Sequence, residues 1–145
     1  FARVEFEHWQ ATDQRGFAAT FEDTVVPVVE AGQSELVDAP CQVTDEVWLE
    51  PTPGHTPGHV AVRIDSKGAR AMITGDLTHH PIQWAEVDWK MSADSDSARA
   101  AATRRRLLDE HADGDLLVIG THYADPCSGH LVRRGDGHAF RASPK

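Results

Sequence analysis

Asparagine is absent from the 145-residue chain, so no N-glycosylation sequon exists. Cysteine is nearly absent: Cys41 and Cys127 stand far apart, with no CxxC pair. That excludes a zinc-finger framework and argues against a disulfide scaffold. Free thiols in a reducing compartment follow, and a cytoplasmic protein is expected. No apolar run approaches the roughly 20 residues needed to span a bilayer. No basic segment followed by an apolar stretch opens the sequence, so no signal peptide is expected. Basic residues are also short, 14 Lys and Arg against 23 Asp and Glu, for a formal charge of −9. An acidic surface repels phosphate, so neither a nucleic-acid nor a membrane partner is expected. The one basic cluster, Arg104-Arg105-Arg106, has Asp109 and Glu110 at i+4 from Arg105 and Arg106. It reads as a solvated, self-paired helix face.

What is present is the composition of a globular domain, 40% apolar and 26% charged, on a chain long enough for one core. The order of elements is readable. Ala2 to Phe6 alternates and reads as a short strand. Phe17 to Glu30 carries Phe21, Val25, Val28 and Val29 at helical spacing. Pro27 breaks it into two short helices, and Gly32 supplies a cap. Short strands are expected around Leu36-Val37 and Val47-Leu49, with a turn at Pro40. Val60, Val62 and Ile64 alternate with polar or small residues, turn at DSKG, and return from Ala69 to Thr74 as a hairpin with one buried face. Leu77 to Met91 has no period and reads as a long loop over a cleft. A helix follows from Ser97 to His111, capped from Asp94 to Asp96, with Ala98, Ala101, Ala102, Leu108 and Ala112 inward. Leu116 to Ile119 is a buried strand, and a last hairpin turns around Gly135-Asp136-Gly137.

Three blocks carry the chemistry: PTPGHTPGH (51–59), ITGD (73–76) and GTH (120–122). Each sets a His or Asp beside an apolar strand, so that His55, Asp76 and His122 converge at strand ends. Two imidazoles and a carboxylate are a minimal ligand set for zinc and similar divalent ions. His59 opens the hairpin strand and reads as a residue that fixes the loop by hydrogen bonding. His8 and Trp9 read as packing residues, and His130 and His138 as exposed. His79 and His80 are open between roles.

The run PTPGHTPGHVAV, then ITGDL, then VIGTHYADPCSGHLV resembles the second half of the metallo-β-lactamase-fold hydrolases, from about Val47 to Phe140. The HHPIQ segment and the helix SDSARAAATRRRLLDEHA are similar to the branch holding lactonase-like and organophosphate-hydrolase-like members. The resemblance implies an α/β fold, the C-terminal half of an αββα sandwich. It implies two divalent metal ions, zinc foremost, with His55 on one, Asp76 bridging and His122 on the other. Hydroxide generated on the metals would attack a small ester, lactone or related small-molecule substrate. Some lactonases of the family place a substrate-contacting Tyr three residues after the bridging Asp; here that place holds His79, which is expected to contact substrate with different chemistry.

The family's H-x-H-x-D-H block, which supplies most of the ligands, is absent. Together with a start at Phe1, this leads us to expect residues 1–145 to be a single partial domain from a longer enzyme, binding metal weakly and turning over little. Its uncovered sheet face would promote self-association. Two alternatives stand beside the hydrolase: a non-catalytic binding or assembly module on the same fold, and an iron-dependent oxidoreductase of that fold.

Overall fold

The computed structural model describes residues 1–12 and 17–143. Its frame is one seven-stranded sheet with strands in chain order: β1 (Cys41–Thr44), β2 (Val47–Pro51), β3 (Val60–Ser66), β4 (Ala69–Ile73), β5 (Leu117–Ile119), β6 (Ser128–Arg134) and β7 (Gly137–Ala142). All neighbours are antiparallel except β4 and β5. Parallel neighbours need a crossover. The helix α4 (Ser97–His111) lies in that connection, capped by Asp96, whose Oδ1 accepts from Arg99 N–H at 2.9 Å.

Two strand faces result. Ala61, Met72, Val118 and Leu131 lie under α4, packed with Leu107, Leu108, Leu77, Trp84 and Tyr123. The opposite face carries Val47, Leu49, Val62, Ile64, Ile73, Leu117 and Ile119 in register. All seven are half-buried. On β3 only Ala61 is fully buried, while Arg63 and Asp65 on the same side are half-exposed. The valines expected to be inward form the second, partly open face.

Other expectations need correction. Residues 3–11 form a helix, α1 (Arg3–Ala11), in place of a strand. The apolar alternation there is only Val4 and Phe6. Phe6 packs on Phe21 at 5.3 Å between ring centroids, and Glu5 reaches one helical turn on to Trp9 Nε1 at 2.6 Å. Of the Ala2–Phe6 stretch, only Ala2 bridges to another segment, at Val37, and this bridge is all the strand structure that the Leu36-Val37 stretch shows. The two short helices around Pro27 are present, α2 (Phe17–Thr24) and α3 (Val26–Glu30), and Gly32 follows at φ +65°. The α4 core face is Ala100, Ala101, Thr103, Arg104, Leu107 and Leu108, while Ala98 and Ala102 are exposed.

Arg104 thus departs most from expectation. It is 1% exposed, and its guanidinium donates to the carbonyls of Val87 (2.7 and 2.9 Å), Leu77 (3.2 Å) and Trp89 (3.3 Å). The planar fork suits such a cluster of carbonyls, and it staples the 77–89 segment to α4. Arg105 pairs with Asp88, and Arg106 with Glu50 and Glu110. The 77–91 segment is correspondingly ordered, with 3₁₀ turns at Gly75–Leu77 and Pro81–Trp84, and Leu77, Gln83 and Trp84 buried. His130 and His138 are half-buried. Cys41 and Cys127 are free thiols. Among the described residues no helix is long and apolar enough to cross a membrane.

Candidate metal centre

The C-terminal ends of the parallel strands β4 and β5 and the N-terminal end of antiparallel β3 lie at one edge of the sheet, because Val62, Ile73 and Ile119 share a register. The segments holding Asp76, His122 and His55 therefore meet there. His122 Nε2 is 2.9 Å from Asp76 Oδ1, and His55 Nε2 is 3.3 Å from Asp76 Oδ2. Each carboxylate oxygen faces one imidazole. His79 joins them: its ring stacks on His122 at 4.4 Å and 14°, and lies 5.3 Å from that of His55. One ligand atom from each of His55, Asp76 and His79 falls within 4.8 Å of the other two.

The loop before β3 is shaped by close backbone approaches. Gly54, at φ +139°, packs on α4 so tightly that a Cβ would lie 2.3 Å from Ala100 Cα. Thr103 Oγ1 donates to Pro53 O at 2.7 Å. On the other side Gly58 N–H donates to Glu5 Oε2 at 3.1 Å, tying α1 to the same loop. His59 does what its position suggests. Its Nε2 accepts from the Asp76 N–H at 2.9 Å, so its proton sits on Nδ1, toward Thr52 O (3.1 Å) and Thr52 Oγ1 (2.8 Å). Burial, followed by the charge on His55, lowers the His59 pKa and favours this neutral form.

His79 and His80 separate cleanly. His80 Nδ1 accepts from Ile82 N–H at 3.1 Å and caps the 3₁₀ turn, a structural task. The His79 backbone N–H donates to Gln83 Oε1 at 2.7 Å, while its Nδ1 is buried without a hydrogen-bond partner. Burial lowers the His79 pKa, and the charge of His122 adds to this against the opposing pull of Asp76. For Asp76, burial works to raise the pKa. The His122 hydrogen bond and the charges of His55, His122 and His79 outweigh it, and the net direction is down.

These groups fit a divalent cation on their own chemistry. The His55 Nδ1 faces a second carboxylate, Asp94 Oδ1, at 3.2 Å. Its Nε2 faces the first, Asp76 Oδ2, at 3.3 Å. Carboxylates only accept and a neutral imidazole carries one N–H, so one of the two carboxylates faces a ring lone pair. A cation between that nitrogen and its carboxylate removes the conflict. The unpartnered His79 Nδ1 is a further donor of the same kind.

Over residues 5–122 the chain matches the metallo-beta-lactamase superfamily. The chain belongs to that superfamily. No curated protein matches it. Among solved structures it is similar to AidC, a dizinc quorum-quenching lactonase in complex with a product, with TM-score 0.79 and 20% identity, covering 99% of this chain and 54% of that one. It is also similar to the hydrolase AbOPH, with TM-score 0.86 and 19% identity over the same shares. An N-acyl homoserine lactone hydrolase, with its product bound at the catalytic metal centre, follows at TM-score 0.68 and 20% identity, over 86% of this chain and 46% of that one. The metallo-β-lactamase chain thus spans about half the length of the structures it matches, and at these identities the likeness is one of fold. The α/β fold expected from the sequence is the fold found, and the superfamily is one of metal-dependent hydrolases.

Sequence reasoning passed over Asp94, read as one of several caps, and Arg104, read as surface. Both left a signal. Asp94 and Asp96 both precede α4, and only one can be its N-cap. Arg104 lies four residues from Ala100 and from Leu108, on the apolar stripe.

Proposed function

We propose that His55, Asp76 and His122 hold divalent metal in an enzyme that hydrolyses a small ester, lactone or related substrate, with His79 at the substrate's side of the cluster. The observation that carries this is the Asp76 carboxylate with one imidazole on each oxygen, at the strand ends where open sheets present their ligands. Zinc is the first candidate for the metal, two ions being the number this reading assigns, and when bound they supply an activated water and polarise the bond under attack. His59 fixes the Asp76 backbone, and Gln83 fixes that of His79. The neutral form favoured for His79 lets it accept a proton or a hydrogen bond from substrate. A hollow of about 490 Å³, lined by His79, Ile82, Trp89 and Met91 among others, opens beside the cluster. Its apolar walls suit an acyl or aryl substituent.

Residues 1–145 are read as one partial domain whose remaining ligands lie outside it, so the isolated chain binds metal weakly and turns over little. The test starts with the coding region upstream of Phe1, where an H-x-H-x-D-H block is expected. The protein encoded by that longer region should hydrolyse acyl lactones or aryl esters with zinc bound. D76N should lose this activity at unchanged circular dichroism. A start codon directly before Phe1, or full activity in D76N, would overturn the reading. Iron with a visible absorption band would move the protein to the redox members of the fold.

A further inference from the structure

Asp94 is a buried acid that the capping of α4 does not account for, although the charge of the buried Arg104 acts on it. Its side chain is 2% exposed, and a carboxylate withdrawn from water is costly unless paired. The N-cap of α4 is already supplied by Asp96. Asp94 Oδ2 accepts one backbone bond, from Met91 N–H at 3.2 Å. Its Oδ1 is aimed elsewhere, at His55 Nδ1, at 3.2 Å. The backbone on both sides holds this pairing in place. Ser95 N–H donates to His55 O and Asp96 N–H to Gly54 O, each at 2.9 Å, and Ser95 Oγ adds a bond to Gly54 O at 3.2 Å. The segment ahead of α4 is therefore zipped onto the loop that carries His55, with the carboxylate at the point where the ring must be oriented.

We propose that Asp94 is the positioning residue of His55: it keeps the ring proton on Nδ1, fixes the ring plane, and leaves Nε2 as the lone pair presented to the metal cluster. The inference rests on the metal reading of His55 given above and adds a residue to it. A carboxylate behind a ligating imidazole makes the far nitrogen a better donor, and its loss weakens metal binding by about 10–100-fold. A loop staple alone would act differently, because an amide at the same position keeps one hydrogen bond and the same shape.

The test uses the 145-residue chain and three variants, D94N, D94A and H55A. Zinc affinity is measured by competition with a chromophoric chelator, and folding by circular dichroism. D94N should bind zinc about 10–100-fold more weakly than the unmodified chain, D94A at least as weakly, and H55A not measurably at this site. A second readout needs no variant. Nitrogen-15 NMR of the metal-free chain, at a pH where imidazole is neutral, should find the His55 proton on Nδ1, and D94N should lose that preference. D94N binding zinc within about twofold of the unmodified chain, beside an inert H55A, overturns the proposal alone. A His55 proton on Nε2 in the unmodified chain does the same even where a variant fails to fold. If H55A binds zinc as well as the unmodified chain, the metal reading of His55 falls and the proposal falls with it.

Discussion

Tyr123 shows how a single residue can tie the site to the core. Its hydroxyl accepts from Trp84 Nε1 at 2.6 Å and shares a proton with Thr78 Oγ1 at 2.7 Å, in a fully buried network. Thr78 precedes His79 and Tyr123 follows His122, so one phenol spaces both loops. Burial pushes its pKa up to about 12, against the two hydrogen bonds that lower it. The sign is that of an acid kept neutral: its stabilisation is complete below the ordinary tyrosine pKa of about 10 and is lost as pH rises toward 12. Because the chain has one tyrosine, ultraviolet titration of tyrosinate reads this group alone. The expected midpoint is near pH 12, or coincident with alkaline unfolding. A midpoint near 10 in the folded protein would show the network is not formed. The Tyr123 ring was visible to sequence reading only as part of GTHY. Nothing in that pattern says its hydroxyl faces inward, since that depends on Trp84, 39 residues away in the chain.

At the scale of elements, the 77–91 segment is held by its own turns and by α4 together. Four hydrogen bonds from Arg104 to three backbone carbonyls hold it. Removing them takes this partner from the Val87 and Leu77 carbonyls, at about 1–3 kcal/mol each before relaxation, while Trp89 O keeps Gln83 Nε2. R104A should lose about 3 kcal/mol of stability, and R104K, whose single ammonium cannot reproduce the fork, should lose part of it. Urea unfolding checks both, as a lower midpoint at unchanged slope. A loss below about 0.5 kcal/mol for R104A would place Arg104 at the surface, as its charge suggests. Periodicity found α4, the 60–74 hairpin and the break at Pro27, because each is a local pattern. It missed α1, where Phe6 packs on Phe21 and Glu5 reaches Trp9 one turn on. On β3 it singled out Val60, Val62 and Ile64, which are half-buried, and passed over Ala61, the one fully buried residue of the strand. Ala61 is buried in the core cluster with Leu107 and Leu108 of α4. The proposed ligands were legible for a related reason. His55, Asp76 and His122 flank strands whose ends are readable, whereas Asp94 is identified only by the contact it makes.

For the whole molecule, the sheet is covered by α4 on one face, while Val62, Ile64, Ile73, Leu117 and Ile119 remain half-open on the other. An apolar face of this continuity associates in water. Sedimentation velocity on residues 1–145 should show concentration-dependent self-association. The double variant V62K/L117K should reduce it without loss of helical circular dichroism. A monomer at all concentrations would mean that the face is better covered than its exposure indicates. The cluster of His55, Asp76, His79 and His122 lies at the strand ends of this sheet, where segments from distant parts of the sequence meet, and its proposed reading as a metal site rests on that convergence. It is tested most directly by titrating the chain with cobalt(II) while following its nine histidines by NMR. The account predicts that His55, His79 and His122 broaden or shift together at the lowest cobalt, that His8, His130 and His138 do not, and that D76N abolishes the effect. Broadening spread evenly over all nine rings, or unchanged in D76N, would contradict it.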